Sequence, residues 1–325
     1  MAGGQERLLR RRIRSIQSTQ KITRAQELIA ASRIVKAQAA VAAAEPYSRA
    51  ITEVVRDLAK GGGGVTSPLL VPREEVRRVA FIVVSADRGL CGAYNSSVIR
   101  DAERAVLAEQ VAGRDYSLLL VGRKAESYFR YRGYRIDGEF DGFSQQPSYE
   151  DARQIGDAAT RAFLAGETDE VHIVYTEYRT AGVQAVVRHT LMPLAPADVE
   201  EAAAPADDGT VPASYEFEPS VEGILDLLLP NYVNSRVYAA LLHAAASEHT
   251  ARQRAMKAAT DNADELITSL SRVMNRARQD AITTEIMEIV SGSEALRQGQ
   301  HETESPSDTI EGRDAELYAA HGADR

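Results

Sequence analysis

The sequence predicts an α/β protein in which two long terminal helices pair as an antiparallel coiled coil beside a separate, sheet-containing domain. The first observation is that glycine and proline are absent between Gly4 and Pro46, and again between Pro230 and Gly292. As helices these runs would measure about 60 and 90 Å, which is more than a compact domain of this size accommodates. The second observation is that the middle of the chain alternates strand-like and helix-like stretches, which favours a mostly parallel sheet with helices on both faces.

The N-terminal domain, residues 1–60, is expected to form the first helix of the coiled coil. From Leu9 onward its apolar residues recur at steps of three and four, the spacing of a helix with one packing face. We expect the helix to resume after Pro46 and to stop at the run of glycines that begins at Gly61.

The C-terminal helix of the coiled coil is expected over residues 231–296. Val237 and Leu241 belong to an apolar seam that is rich in alanine, which lets two helix axes approach closely. Pro230 stands where a first-turn proline is tolerated, and Gly292 stands where helices commonly end.

Two terminal helices that each carry one apolar seam most simply bury those seams against each other. The alternative, two separate amphipathic helices lying on a globular core, stays open at this point. Residues 297–325 carry three Lys/Arg against seven Asp/Glu, so we expect an acidic, disordered tail.

The middle of the chain, residues 76–230, is expected to form the α/β domain. Its most clear-cut element is RVAFIVVS, a continuous apolar run typical of a buried strand. Residues 195–214 are rich in Ala, Pro and acidic residues, which indicates a surface loop. The remaining pattern predicts strands at 78–85, 116–121, 134–140, 170–178 and 183–191, the last antiparallel to its neighbour, and helices ending near 112 and spanning 124–132 and 149–165.

Composition excludes several classes of protein. The net charge of −9 disfavours a nucleic-acid-binding protein, although residues 1–60 carry twelve Lys/Arg against five Asp/Glu. That basic face suits acidic partners or is merely solvated, and both interpretations remain open. A single cysteine excludes an internal disulfide and points to a reducing compartment. No apolar run reaches the length of a membrane span.

The loop after the first strand, residues 85–92 (SADRGLCG), is the natural place to look for a nucleotide site. It contains neither G-x-G-x-x-G nor a Walker lysine, so we expect no nucleotide there. Cys91 has no histidine nearby in the sequence and is interpreted as a small buried thiol. The histidines show no metal-ligand spacing, and no acid/base constellation stands out, so no catalytic, cofactor or metal residue is assigned.

Four stretches taken together resemble the gamma subunit of F-type ATP synthases. They are residues 13–33 (IRSIQSTQKITRAQELIAASR), 85–92 (SADRGLCG), 248–262 (EHTARQRAMKAATDN) and 275–292 (NRARQDAITTEIMEIVSG). Their order and spacing agree with that family, and the resemblance covers about residues 3–296.

The resemblance implies a central rotor shaft that is not itself an enzyme. The coiled coil would lie inside a ring of alpha and beta subunits, three copies each, and couple rotation of the c-ring to conformational change at the catalytic sites on beta. The middle domain would be Rossmann-like and would contact the epsilon subunit and the c-ring. Direct nucleotide binding and cofactors are not implied. The subunit would be peripheral, at the cytoplasmic face of the bacterial plasma membrane.

The resemblance also implies two groups of contact residues on the shaft. Polar residues would face the stator, and the apolar end of the shaft would sit in a sleeve bearing, the alternative being an exposed patch that dimerises. The expected rotor–stator contacts are Lys21, Arg24, Arg252, Gln279, Thr283 and Glu285, and the expected bearing residues are Ile282, Ile286, Ile289 and Val290.

Some features depart from the family pattern. Gln26 and Gln253 stand where the family has methionine, and the acidic tail continues beyond the family's usual end. The Ala/Arg-rich composition and long tail are typical of an actinobacterial source. Composition and periodicity alone also allow a structural coiled-coil scaffold with a globular α/β head, whereas a nucleotide-dependent enzyme is disfavoured by the missing phosphate loop.

Overall fold

The structure is a computed structural model that describes residues 2–61, 67–194 and 221–302. Helix α1 spans Ala2–Gly61 and helix α5 spans Val221–Glu302, so both ends of the chain are long helices as predicted. The predicted acidic loop at 195–214 and the tail from 303 onward lie outside the described residues.

Helix α5 is longer than the sequence indicated. It starts at Val221 instead of 231 and continues to Glu302, so Pro230 and Gly292 lie inside it and neither ends it. Proline inside a helix costs one backbone hydrogen bond, but the buried side chains of Leu225 and Leu229 hold the turn before Pro230 against the core. Residues 221–230 therefore belong to this helix, and residues 297–302 are helical where a disordered tail is expected from the sequence.

A five-stranded sheet forms the centre of the chain, in the order β3-β2-β1-β4-β5. The first four strands are parallel and β5 runs antiparallel to β4, as predicted. The strands are β1 Arg78–Val84, β2 Asp115–Val121, β3 Gly138–Phe140, β4 Glu170–Tyr178 and β5 Gln184–Met192; the helices are α2 Tyr94–Val111, α3 Arg123–Tyr131 and α4 Tyr149–Leu164.

Both faces of this sheet are covered, because side chains along β1 alternate between two apolar cores. Phe81 and Val83 point to the core that α2 and α3 complete, whereas Ile82 and Val84 point to the core that α4 and α5 complete. A strand buried on both faces must be apolar throughout, which explains the uninterrupted run seen in the sequence.

The two terminal helices run antiparallel. Residues 20–262 form one compact unit, in which the hydroxyl oxygens of Thr23 and Thr260 lie 2.8 Å apart and are buried. Further along α1, Ile51 shares a core with Leu229 of α5, so residue numbers fall on one helix as they rise on the other. Among the described residues, 2–19 and 263–302 form the second compact unit, in which both helices also contribute buried apolar side chains.

The Thr23–Thr260 contact predicts a specific crosslink. The double variant Thr23→Cys/Thr260→Cys is expected to form an intrachain disulfide under mild oxidation, because side-chain atoms 2.8 Å apart bring the two Cβ atoms within disulfide reach. Gel mobility without reductant measures it. The pair Ile22→Cys/Thr260→Cys is the control, because Ile22 is exposed and points away from the seam. Equal crosslinking of both pairs would contradict the register.

Candidate functional site

Three side chains, those of Ser85, Asn95 and Asp87, form the hydrogen bonds that fix the loop after β1 to neighbouring parts of the chain. Ser85 Oγ donates to the carbonyl of Val121 at 3.0 Å and accepts from the N–H of Ala125 at 2.9 Å. Asn95 Oδ1 accepts from the N–H of Ala86 at 2.9 Å. The Asp87 carboxylate accepts from the backbone N–H groups of Arg123, at the start of α3, and of Gly142 and Ser144, in the loop after β3. These bonds satisfy the carboxylate with backbone donors and leave the loop little freedom.

A buried ion pair lies on α5 where that helix contacts this loop. Glu248 is fully buried, and its Oε1 lies 2.8 Å from Nη1 of Arg252, whose side chain is 7% exposed. Arg252 Nη2 donates to the carbonyl of Gly89 at 3.2 Å. Gln145, from the loop between β3 and α4, donates to Glu248 at 3.4 Å. Charges are held at such low exposure only when they are paired, so the cluster depends on all of its partners.

Groups beside the ion pair are held in their neutral forms. Burial raises the pKa of the Cys91 thiol, the charge of Arg252 opposes the rise and that of Glu248 adds to it. Burial also raises the pKa of Tyr94 well above its usual value. Burial lowers the pKa of His249, whose Nε2 lies 3.0 Å from the carbonyl of Gln145 and must therefore donate. A protonated, enclosed thiol is a poor nucleophile, in agreement with the structural role predicted for Cys91.

Arg252 is buried, whereas the other predicted polar contact residues are exposed. Its guanidinium is directed at Glu248 and Gly89 within the chain, and its side chain is 7% exposed. The sequence shows Arg252 on a helix but does not show which loop lies over it. The i,i+4 spacing of Glu248 and Arg252 was the available signal, since such residues are neighbours on a helix.

The remaining predicted polar contacts are exposed. Lys21 and Arg24 lie on the surface of α1, with Arg24 3.2 Å from Glu27. Gln279, Thr283 and Glu285 are exposed on α5, and the Thr283 hydroxyl donates back to the carbonyl of Gln279 at 3.0 Å. These side chains are accessible to another protein, and nothing in the described residues covers them.

The predicted bearing residues form a row along α5. Ile282, Ile286, Ile289 and Val290 are all exposed, between 46% and 66%. Their spacing places them within about 100° of one another around the helix, so they lie along one side of it. A row of exposed β-branched residues along a helix is an apolar surface of the kind that marks a protein interaction site.

The described ranges were also compared with the requirements of a metal site and of a membrane-spanning helix, and they meet neither. No group of three or more His, Cys, Asp or Glu is placed to hold a metal ion in residues 2–61, 67–194 and 221–302. In those segments no helix is long and apolar enough to cross a bilayer.

The chain is similar to known proteins over most of its length. The family model described as ATP synthase matches residues 5–296. A curated ATP synthase gamma chain of Frankia casuarinae is 51% identical, covering 91% of this chain and 99% of the relative. One from Mycolicibacterium smegmatis is 48% identical, covering 89% and 97%.

Solved structures share the fold at lower identity. A chain of the Euglena gracilis mitochondrial ATP synthase (OSCP/F1/c-ring) aligns with TM-score 0.64 and 18% identity, covering 95% of this chain and 99% of that one. A chain of the Tetrahymena thermophila central stalk/c-ring structure aligns with TM-score 0.55 and 22% identity, covering 73% and 99%. The family match, the identity over almost the whole chain and the shared fold agree with the resemblance found in the sequence, and this chain belongs to the family of ATP synthase gamma chains.

Proposed function

We propose that this chain is the central rotor shaft of a proton-translocating F-type ATP synthase, and that it is a non-catalytic subunit of that enzyme. The observation that carries the proposal is the pair of antiparallel terminal helices, whose distal part on α5 leaves long polar and apolar surfaces uncovered. A shaft must be long and stiff, and it must expose the residues that its surroundings contact. A self-contained scaffold is not favoured, because the family match spans residues 5–296.

The partners we propose follow from the family. Alpha and beta subunits, three copies each, would surround the helical pair, and the epsilon subunit and c-ring would contact the Rossmann-like domain. The similar solved structures are a central stalk/c-ring assembly and an OSCP/F1/c-ring assembly, which supports this arrangement. The chain would then lie at the cytoplasmic face of the bacterial plasma membrane as a peripheral component.

Weak polar contacts suit a rotating surface. We propose that Lys21, Arg24, Gln279, Thr283 and Glu285 contact the stator, and that the apolar row beginning at Ile282 sits in the sleeve bearing. Exposed ion pairs contribute only about 0–1 kcal/mol each, so no single angle becomes a deep energy minimum that would stall rotation. Arg252 is left out of this set because its guanidinium is paired inside the chain.

The proposed contacts predict a loss of coupling without a loss of folding. The variant Gln279→Ala/Glu285→Ala is expected to fold normally, because exposed polar changes move stability by less than about 0.5 kcal/mol. In the assembled complex it should lower ATP synthesis and rotation-linked hydrolysis. The matched control is Glu265→Ala/Thr268→Ala, which removes exposed polar groups elsewhere on α5. Parental turnover by the first variant would show these residues to be ordinary solvated surface.

A non-catalytic shaft is also expected not to bind nucleotides. The isolated, folded chain should show no micromolar binding of ATP or ADP by calorimetry, because the loop after β1 lacks a phosphate-binding sequence. Its central carboxylate, Asp87, accepts from backbone N–H groups of neighbouring loops and would repel a phosphate. A stoichiometric binding isotherm would overturn this expectation.

A further inference from the structure

A crevice of about 700 Å³ lies between the two terminal helices and the last two strands of the sheet. Its walls are formed by α1 near Arg49, by α5 between Arg236 and His243, and by the side of β4 that carries Tyr175. All of these residues belong to the compact unit formed by residues 20–262. A volume of this size is in the range of ligand-binding pockets. None of the proposed stator or bearing residues lines it, so the rotor contacts do not explain its polar lining.

The lining of the crevice carries one positive charge that no carboxylate in the described chain neutralises. Of its three guanidinium groups, that of Arg49 lies 2.8 Å from Glu45. That of Arg179 lies 2.6 Å from Glu177. Arg236 is half-buried, and among the residues that the structure describes it forms neither an ion pair nor a hydrogen bond. A half-buried guanidinium without a partner favours an anion in the space that it lines.

A hydrogen-bond donor without a partner lines the same crevice. Tyr175 is 8% exposed, and its hydroxyl forms no hydrogen bond with any described residue. Burial raises the pKa of Tyr175 to about 12, and the charge of Arg236 opposes that rise. The hydroxyl therefore keeps its proton at neutral pH. Buried tyrosine hydroxyls usually have a hydrogen-bond partner, and an anion in the crevice would supply one.

His243 adds a hydrogen-bond acceptor to the lining. The centroid of its ring lies 6.5 Å from that of Tyr175. Its Nδ1 lies 3.2 Å from the carbonyl oxygen of Tyr178, so Nδ1 carries the proton and donates it. Burial lowers the pKa of His243, and the charge of Arg236 acts in the same direction. In the neutral ring that results, Nε2 is an acceptor.

We propose that this crevice binds inorganic phosphate through Arg236, Tyr175 and His243. Phosphate at neutral pH is an anion that still carries at least one proton. Its unprotonated oxygens accept from the guanidinium of Arg236 and from the hydroxyl of Tyr175. Its P–OH group donates to Nε2 of His243. The inference does not depend on the proposed rotor function, and the two can fail separately.

The acceptor on His243 distinguishes phosphate from other anions of similar size. Sulfate has no proton at neutral pH, so one of its oxygens would face the lone pair of Nε2. A phosphomonoester loses its last proton at about pH 6, so at neutral pH most of it would meet the same repulsion. A site that hydrogen-bonds a ligand O–H discriminates strongly against an analogue without it, because a polar group of the site is then left unpaired.

Phosphorus NMR tests the proposal on the folded, full-length chain. The linewidth of the inorganic phosphate signal is followed as the chain is added at about pH 7.5 and constant ionic strength. We expect one phosphate to bind per chain with a Kd of about 1 mM, because phosphate fills only part of the crevice and keeps some of its hydration. Sulfate and phenyl phosphate should each compete at least about tenfold less well than unlabelled phosphate would.

Two variants remove single groups from the site. Arg236→Met removes the guanidinium and should weaken phosphate binding by about tenfold to a hundredfold, the range for a hydrogen bond to a charged group. Tyr175→Phe removes only the hydroxyl and should weaken binding by about twofold to tenfold. The matched control is Arg254→Met, which removes a positive charge from an exposed position of α5 outside the crevice. It should leave the affinity for phosphate unchanged.

Each outcome bears on the proposal. Saturable binding that Arg236→Met weakens and Arg254→Met does not weaken supports the site. The absence of saturable binding to the parental chain overturns it, and so do equal losses in the two arginine variants, which would mean that net charge alone attracts the ion. Should Arg236→Met not fold, Tyr175→Phe must still weaken binding, and parental affinity there overturns the site. Competition by sulfate as strong as that by phosphate overturns the role of His243 and the assignment of phosphate with it.

Discussion

Replacing Arg252 alone by methionine is expected to lower the free energy of unfolding of the isolated chain by about 3–5 kcal/mol. The change leaves Glu248, which is fully buried, without its counter-charge, and it leaves the carbonyl of Gly89 without its side-chain donor. An unpaired charge away from water costs far more than the pair itself contributes. Urea unfolding of the full chain, followed by circular dichroism, measures the change.

The paired variant is the informative comparison. Glu248→Gln/Arg252→Met should recover most of the lost stability, because neither side chain then carries an unpaired charge. Arg272→Met, at an exposed position of α5, is the control and should change stability by less than about 0.5 kcal/mol. If the single variant is as stable as the parental chain, the guanidinium is not the partner that keeps Glu248 buried.

Gly122→Ala is expected to destabilise the chain by at least about 3 kcal/mol. Gly122 follows β2 with φ of 88°, a region that other residues rarely adopt, and an added Cβ would lie 2.3 Å from the carbonyl oxygen of Ser85. That oxygen belongs to the backbone of the loop after β1, which Asp87 and Asn95 hold in place, so it cannot move aside freely. Thermal unfolding of the full chain measures the loss.

Gly113→Ala separates the two causes of this effect. Gly113 also has a positive φ, 78°, but an added Cβ there would meet no atom within 4 Å. Its substitution should therefore show the backbone strain alone, about 1–2 kcal/mol. Equal losses of stability at the two positions would mean that the contact with Ser85 does not contribute to the destabilisation.

The predictions for Arg252 and Gly122 concern the same region, because both residues contact the loop after β1. Gly122 lets β2 approach this loop closely, and Arg252 holds the loop to α5. Destabilisation in both cases would show that the segment resembling the family's central loop is structurally anchored.

The sequence by itself determined the type and order of the elements. The run RVAFIVVS indicated a strand buried on both faces, and β1 is covered by apolar cores on both sides. The absence of glycine and proline between Pro230 and Gly292 indicated a long helix, and α5 spans that run. Such features depend on local periodicity and on the few residues that cannot adopt a given backbone, so one sequence is enough to recognise them.

Only the tertiary structure decided where α5 begins and which partner Arg252 takes. Pro230 lies within the helix because buried neighbours such as Leu225 compensate for the lost hydrogen bond, and the local sequence does not report that compensation. The sequence predicts a stator contact at Arg252, and in the structure its guanidinium donates to the carbonyl of Gly89, which is far away in the sequence. The environment of a charge depends on chain segments that are distant in sequence, and the free energy of burying that charge is set by them.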